Sequence, residues 1–380
     1  MKTFHPYTLL LAALSAAFLI SCNKEEPASP EKEKEPETPV SKPDPLEKYG
    51  LKDLARANDL LIGAEFTYGE YADDSLKVIL KRDFDAVTFG NEMKHDCIVG
   101  KDGRLNFVRA DEMVGWTRDC SVQLFGHTLG WHSQQQRDYL DPLIKGAPDQ
   151  QTAAQRVQEA HKKWVDEMVA HFDVYAWDVV NEAFSDLGEW RNTKNTENKY
   201  HVFVWGQYYD GGTKEFADQA FRHTREALER EGKTADLYIN DYNLEGGWAK
   251  SKLEALCNYA QNNPDVTGVG TQMHISADAN RNDITRMLER MVKTGKKVRI
   301  SELDVTAGKA SQGETIVYIF DQYLTLVPKE QRGGITFWGV SDKNSWLGAN
   351  KAPLLYDSAY RRKDAYLQLH TYLLNRAGLQ

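Results

Sequence analysis

Two carboxylates close runs of apolar and β-branched residues. Glu182 ends Val174-Tyr-Ala-Trp-Asp-Val-Val-Asn-Glu182, and Glu302 lies inside Lys297-Val-Arg-Ile-Ser-Glu302-Leu-Asp-Val305. Such a run reads as an interior strand, and an acid at its end stands at the rim of a sheet, where chemistry is usually done. Two rim acids can divide acid/base and nucleophilic work between them. Most of the 56 acidic residues are ordinary solvated surface, so the neighbours must make the distinction. Asn181 precedes Glu182 with an amide able to bond a hydroxyl or a neighbouring carboxylate, and the helix-forming pair Ala183 and Phe184 follows it. Asp304 lies two residues beyond Glu302, on the same side of a strand of period two.

Those acids need a scaffold. Strand-like runs occur at 60–66, 84–89, 122–126, 174–177 onward, 237–240, 269–273, 298–300 onward and 335–338. Helical spacing of apolar residues fills 152–170, 214–231, 250–262, 283–294 and 314–326 between them. Strand and helix alternating eight times over about 330 residues predicts an α/β chain folded as a (β/α)8 barrel, the TIM barrel, rather than an open sheet. In that fold the residues just after each strand line the mouth, and here they are polar or aromatic nearly every time. They are Asn91 and Lys94; His127, Trp131, His132 and Gln134; Asn181 and Glu182; Asn240 to Asn243; Gln272 and His274; Glu302 and Asp304; Trp338, Asp342 and Trp346. Aromatic faces with amides and carboxylates suit a neutral polyhydroxylated ligand and disfavour a phosphorylated one.

Composition narrows the field further. The net charge of −9, with no basic block able to track a phosphate backbone, argues against a nucleic-acid partner. Lys2 and His5 precede an apolar run from Thr8 to Ile20, too short to span a bilayer comfortably and shaped like a signal peptide. Leu19-Ile20-Ser21-Cys22 has the form of a bacterial lipobox, which predicts a lipoprotein signal at 1–21 and a lipidated Cys22. Residues 22–47, rich in Pro, Glu, Lys and Ser, read as a disordered tether, and 48–380 as the catalytic domain. Lys24-Glu25-Glu26 directly behind Cys22 is similar to the signal that sends lipoproteins to the cell surface in some Gram-negative anaerobes, the periplasmic face being the alternative. Cys97, Cys120 and Cys257 are odd in number and lack metal-like spacing, so neither disulfide nor zinc is expected, and they read as small buried fillers.

The chain from about 51 to 374 resembles the glycoside hydrolase family 10 endo-β-1,4-xylanases. The matching blocks, in family order, are Asn91-Glu-Met-Lys94, Gly126-His-Thr-Leu-Gly-Trp-His-Ser-Gln134, Trp177-Asp-Val-Val-Asn-Glu-Ala183, Tyr238-Ile-Asn-Asp-Tyr-Asn243, Gln272-Met-His274, Ser301-Glu-Leu-Asp304 and Phe337-Trp-Gly339. The resemblance implies xylan as substrate, a retaining mechanism, Glu182 as acid/base and Glu302 as nucleophile. A retaining pair needs carboxyls roughly 5 Å apart and different in pKa, and burial beside Glu302 is expected to hold Glu182 protonated. The resemblance further implies that His274, oriented by Asp304, aims Glu302; that Asn181 contacts the 2-hydroxyl; and that Gln272 and Asp178 tune Glu182. It assigns Asn91, Lys94, His127, Trp131 and Gln134 to the glycone side, Trp338 and Trp346 to a cover over the reacting sugar, and Tyr242 to the leaving group.

The resemblance has departures. Where the family usually has Glu before the Asn of the first block, this chain has Gly90, and where Trp commonly follows the Lys it has His95. Both are expected at the distal glycone sugar. Residues 188–212, with Trp190, Arg191, Trp205, Tyr208 and Tyr209, predict a long loop over the mouth. No cofactor or metal is expected, and the protein is expected to act as a monomer. A mixed-glycan or cellobiohydrolase-like activity is the alternative within enzymes, and a glycan-binding lipoprotein the alternative outside them. Trp131 or Trp338 packed in the core, or Asp178 bonded only to backbone, would be the plainer outcome for each.

Overall fold

The runs of apolar residues become strands buried on both faces, and the sheet closes on itself. A computed structural model describes residues 44–192 and 205–379. Its strands are β1 (Ile62–Phe66), β2 (Ala86–Phe89), β3 (Gln123–Trp131), β4 (Ala176–Asn181), β5 (Asp236–Asp241), β6 (Gly268–Thr271), β7 (His274–Ser276), β8 (Lys297–Thr306) and β9 (Arg332–Phe337). All pairings are parallel, β6 joins β8, and β9 returns to β1, giving the (β/α)8 barrel expected from the alternation. β7 pairs only with the far half of β8, His274 opposite Asp304, so β6 and β7 form one barrel strand interrupted at Gln272 and Met273.

Helices ring the outside. Gln150–His171, Gly212–Glu231, Lys250–Asn262, Arg281–Val292 and Gln312–Leu326 fall within two residues of their predicted spans at either end. Side-chain caps fix several starts: Asp149 accepts from Thr152 N, Asn280 from Asn282 N, and Ser311 from Glu314 N. Inside the barrel, Gly126 and Gly268 make room for large rings, because a Cβ at either would fall 2.2 Å from Trp177 or Tyr238. Arg299 is buried among Phe125, the Tyr175 hydroxyl, Gly333 O and Thr336 Oγ1.

The mouth of the barrel carries backbone strain. Gln134, Glu182, Asn243 and Met273, each just past a strand, have φ of 46°, 56°, 61° and 62°. Left-handed conformation at a non-glycine residue costs about 1–3 kcal/mol and concentrates at functional sites.

Several expectations need correction. No helix follows Glu182; Phe184 instead forms an isolated bridge with Trp190, because Phe184 N donates to Asp241 and Arg191 N to Ala183 O. The boundary at 47/48 falls inside a short helix, Pro45–Lys48, capped by Asp44. The rest of the expected signal and tether, Cys22 included, lies outside the described residues. Of the segment 188–212, residues 193–204 also lie outside them. Trp205 and Tyr209 are buried against His161 and Phe216 rather than standing over the mouth. Cys257 is buried, while Cys97 and Cys120 are only partly so.

Candidate active site

Glu182, just past the end of β4, and Glu302, within β8, are joined by a chain of amides. Asn240, fully buried on β5, donates from Nδ2 to Glu302 Oε1 and to Asn181 Oδ1, both at 3.0 Å. Asn181 Nδ2 in turn lies 3.4 Å from Glu182 Oε1, and Gln272 Nε2 donates to the same oxygen at 2.9 Å. One sequence of fixed donors therefore sets both carboxyls at the mouth, on β4 and β8, with little freedom to turn.

Their remaining oxygens face different partners. Glu302 Oε2 is 3.3 Å from His274 Nε2, whose Nδ1 is 2.7 Å from Asp304 Oδ2. Burial lowers His274, but the hydrogen bonds and charges of Asp304 and Glu302 outweigh it and raise the imidazole to about 10. It is thus an imidazolium at neutral pH, donating to both acids. Glu182 Oε2 meets His132 Nε2 at 2.8 Å. Burial raises the Glu182 carboxyl, yet the His132 hydrogen bond and charge, with the Gln272 donor, hold it below the ordinary carboxylate range. This overturns the expectation that burial and Glu302 would keep Glu182 protonated by themselves: the histidine beside it reverses the direction.

The residues expected on the glycone side gather around a cleft of about 680 Å³ lined by Asn91, Lys94, His127, Trp131, Gln134, Asn181, Glu182, Gln272, His274, Glu302, Trp338 and Trp346, together with Glu65 and Gly90. Lys94 Nζ donates to Gln134 Oε1 at 2.9 Å and sits 4.8 Å from the Trp131 ring; burial lowers its pKa. Gln134 Nε2 donates to Asn91 Oδ1. Trp338 meets His127 edge-on at 5.4 Å, and Trp346, 61% exposed at the lip, donates from Nε1 to Asp304 and packs against His274.

Asp178 does not reach Glu182. Its Oδ2 is 2.8 Å from His127 Nδ1, and its backbone carbonyl takes the Thr128 hydroxyl. Burial raises Asp178 to about 7, partly offset by Arg299, and lowers His127 to about 4, so the low-polarity interior favours a neutral pair. The bond to Asp178 leaves His127 Nε2 for the cleft. Tyr242 is not among the cleft-lining residues; its hydroxyl accepts from Arg191 Nη2, and Arg191 Nε donates to Glu182 O. His95 also turns away from the glycone side. It is buried edge-on against Trp164 and Trp205, lowered to about 3 by burial, and accepts from Gln136 N.

Sequence reading named His132 and Asn240 at the rim without giving either a role. Arg191 appeared only as part of a loop, and Glu65 not at all beyond its strand. His127, Asp178 and Glu302 place ligand-type atoms within 4.8 Å of one another. Those atoms are engaged with one another, Asn240 and His274, which makes them organisers of the cleft.

The family model of glycosyl hydrolase family 10 matches residues 50–372. Endo-beta-1,4-xylanase Xyn10C of Cellvibrio japonicus is 29% identical over 354 residues, covering 83% of this chain and 56% of that one. Exoglucanase XynX of Acetivibrio thermocellus is 28% identical over 302 residues, covering 74% and 26%. The chain spans between 31% and 56% of the first curated relatives it matches. Among solved structures, xylanase 10B of Thermotoga petrophila RKU-1 in complex with xylobiose superposes with a TM-score of 0.71 at 29% identity, covering 86% of this chain and 98% of that one.

Proposed function

Because the chain belongs to glycosyl hydrolase family 10, we propose that it is an endo-1,4-β-xylanase, working as a monomer, that cuts the xylan backbone internally with retention. The observation that carries this reading is the amide chain from Glu302 through Asn240 and Asn181 to Glu182, which gives two cleft carboxyls fixed positions and unlike partners. Glu302, aimed by the His274 imidazolium, attacks the anomeric carbon. The C–O bond to the leaving sugar breaks as its oxygen takes a proton from Glu182. That proton is shared in the 2.8 Å hydrogen bond between His132 and Glu182, and the pair delivers it, the histidine being what lowers the carboxyl against its burial. In the second half, Glu182 takes a proton from water, the water oxygen attacks the same carbon, and the ester bond to Glu302 breaks. His127, Lys94, Asn91 and Gln134 hold the glycone hydroxyls, and Trp131, Trp338 and Trp346 offer ring faces; Tyr242, outside the cleft lining and bonded to Arg191, keeps the leaving-group role only as the resemblance implies it.

The N-terminal residues support a location as well. Cleavage before Cys22 and its lipidation would leave the enzyme on the outer membrane, and Lys24-Glu25-Glu26 favours the cell surface over the periplasmic face.

The test is product chromatography after incubating wild type and Glu302→Ala with xylan and with soluble cellulose. Xylo-oligosaccharides from the wild type alone are expected. Cleavage of cellulose instead would move the substrate toward that of the exoglucanase relative and keep the mechanism. Binding without cleavage would replace the enzyme by a glycan-binding protein.

A further inference from the structure

Of the four acids that line the cleft, Glu65, Glu70, Glu182 and Glu302, three are committed to protein partners, as are the neighbouring Glu92, Asp178 and Asp304. Glu70 accepts from Thr67 N, Thr67 Oγ1 and Asn344 Nδ2. Glu92 accepts from Tyr68 N and Asn91 N. Glu182, Glu302, Asp178 and Asp304 hold the partners described above. Glu65, at the end of β1, is 9% exposed and lines the cleft, yet none of the described residues hydrogen-bonds its carboxyl. A largely buried carboxyl that no protein donor engages and that opens on a ligand cleft has its hydrogen-bonding capacity turned toward a ligand.

Its position is specific. A Cβ built at Gly90 would fall 1.9 Å from Glu65 Oε1. The Glu65 carboxyl therefore fills the space that a side chain at 90 would enter, and only glycine at 90 admits it. The absence of a side chain at 90 and the presence of an acid at 65 are one arrangement: the acid of this wall comes from β1 rather than β2. Glu182 gives its proton to the leaving group on the β4 and β5 side, so the glycone runs the other way, toward β1 and β2.

We propose that Glu65 is a specificity-determining residue that binds a hydroxyl of the sugar next to the reacting one on its glycone side. This rests on the reading of the protein as a retaining xylanase. Burial, with the charges of Glu70, Glu92 and Glu302 outweighing Lys94, pushes the Glu65 carboxyl well above its usual range. A neutral carboxylic acid has one donor and further acceptor capacity, which suits a hydroxyl that must both give and take a hydrogen bond.

The experiment compares kcat/KM for nitrophenyl β-xylobioside, which places a sugar against this wall, and nitrophenyl β-xyloside, which does not. Glu65→Met keeps the volume and removes the hydrogen bonds. It is expected to lower the xylobioside value by about 10- to 100-fold, mainly through KM, and to leave the xyloside value within about threefold. Glu65→Gln, which retains a donor and an acceptor, should stay within about threefold on both. In the double variant Glu65→Ala with Gly90→Glu, an acid enters the same space from the other strand, with Thr67 Cγ2, 2.9 Å from the new Cβ, having to yield. It is expected to recover most of what Glu65→Ala loses on xylobioside. Equal losses of Glu65→Met on both substrates, or none on either, would overturn the proposal, as would a double variant no better than Glu65→Ala. If the wild type cleaves aryl cellobioside and no xyloside, the substrate reading fails separately. The same ratio on aryl cellobioside and glucoside then decides the role of Glu65.

Discussion

Replacing His132 by Phe isolates the residue that sets the state of Glu182, the proposed acid/base. The variant removes the hydrogen bond and charge that lower Glu182 and leaves the burial that raises it. The Glu182 carboxyl is therefore expected to titrate higher in His132→Phe than in wild type. Carbon-13 NMR of labelled glutamate, assigned against Glu182→Gln, reads that directly, and an unmoved or lowered value would remove His132 from the mechanism proposed above. His274 gives a pH dependence of opposite origin. Its imidazole is raised to about 10 by Asp304 and Glu302, so its contribution to stability is complete below the unfolded-state value of about 6.5 and is lost as pH rises through about 10. The difference in Tm between wild type and His274→Gln should accordingly be largest near pH 6 and shrink by pH 10. A gap that stays constant over that range would show that the loss is of packing alone. Both histidines lie in recognisable sequence blocks. What the blocks do not disclose is which ring nitrogen meets which carboxyl, because His132 and Glu182 come together only when β3 and β4 are laid side by side.

At the scale of elements, the strands were legible because parallel barrel strands are buried on both faces and read as apolar runs. β7 was not, since three residues carry no period, and its existence depends on the break at Met273 that turns Gln272 toward Glu182. The helix-forming pair Ala183 and Phe184 forms no helix for a related reason: its local propensity yields to the bonds that Asp241 and Arg191 make with that backbone. Glu65 escaped notice because a lone acid in an apolar strand has a meaning only beside Gly90 on the neighbouring strand. The ends of the barrel are tied by another pairing distant in sequence. Asp83, at the end of helix Asp74–Asp83 and fully buried, accepts from Leu51 N at 2.9 Å and from the Tyr366 hydroxyl at 3.0 Å, and Tyr356 donates to its other oxygen. It thereby joins the first and last long helices of the domain to the β1–β2 connection. Asp83→Ala leaves a buried backbone N–H and two hydroxyls without an acceptor, and is expected to cost about 3 kcal/mol in urea unfolding, with Asp83→Asn costing less. A loss of under about 0.5 kcal/mol would show that the clasp contributes no more than an ordinary surface contact.

For the whole molecule, the decisive residue is far in sequence from the chemistry. The chain is acidic overall, with a net charge of −9 that gives it no general attraction to an anionic membrane, and the proposed association rests on the lipid on Cys22. A lipoprotein with several acyl chains stays on its membrane, and among the described residues no helix is long and apolar enough to cross a bilayer. Cys22→Ser is therefore expected to abolish incorporation of labelled palmitate, and the chain from residue 23 onward, lacking both signal and lipid, to carry the proposed xylan-cleaving activity in the soluble fraction. The kcat of the mature domain should remain unchanged, because every residue argued to touch substrate lies beyond position 64. Unlabelled wild type, or a chain from residue 23 onward that still sediments with the membrane, would remove the anchor. Protease treatment of intact wild-type cells then separates the two faces of the membrane. An endo-acting enzyme meets a polymer too large to pass the outer membrane, so a surface position requires the activity to be lost on shaving, while activity that survives shaving and appears only on lysis would place the enzyme inside, acting on fragments cut elsewhere.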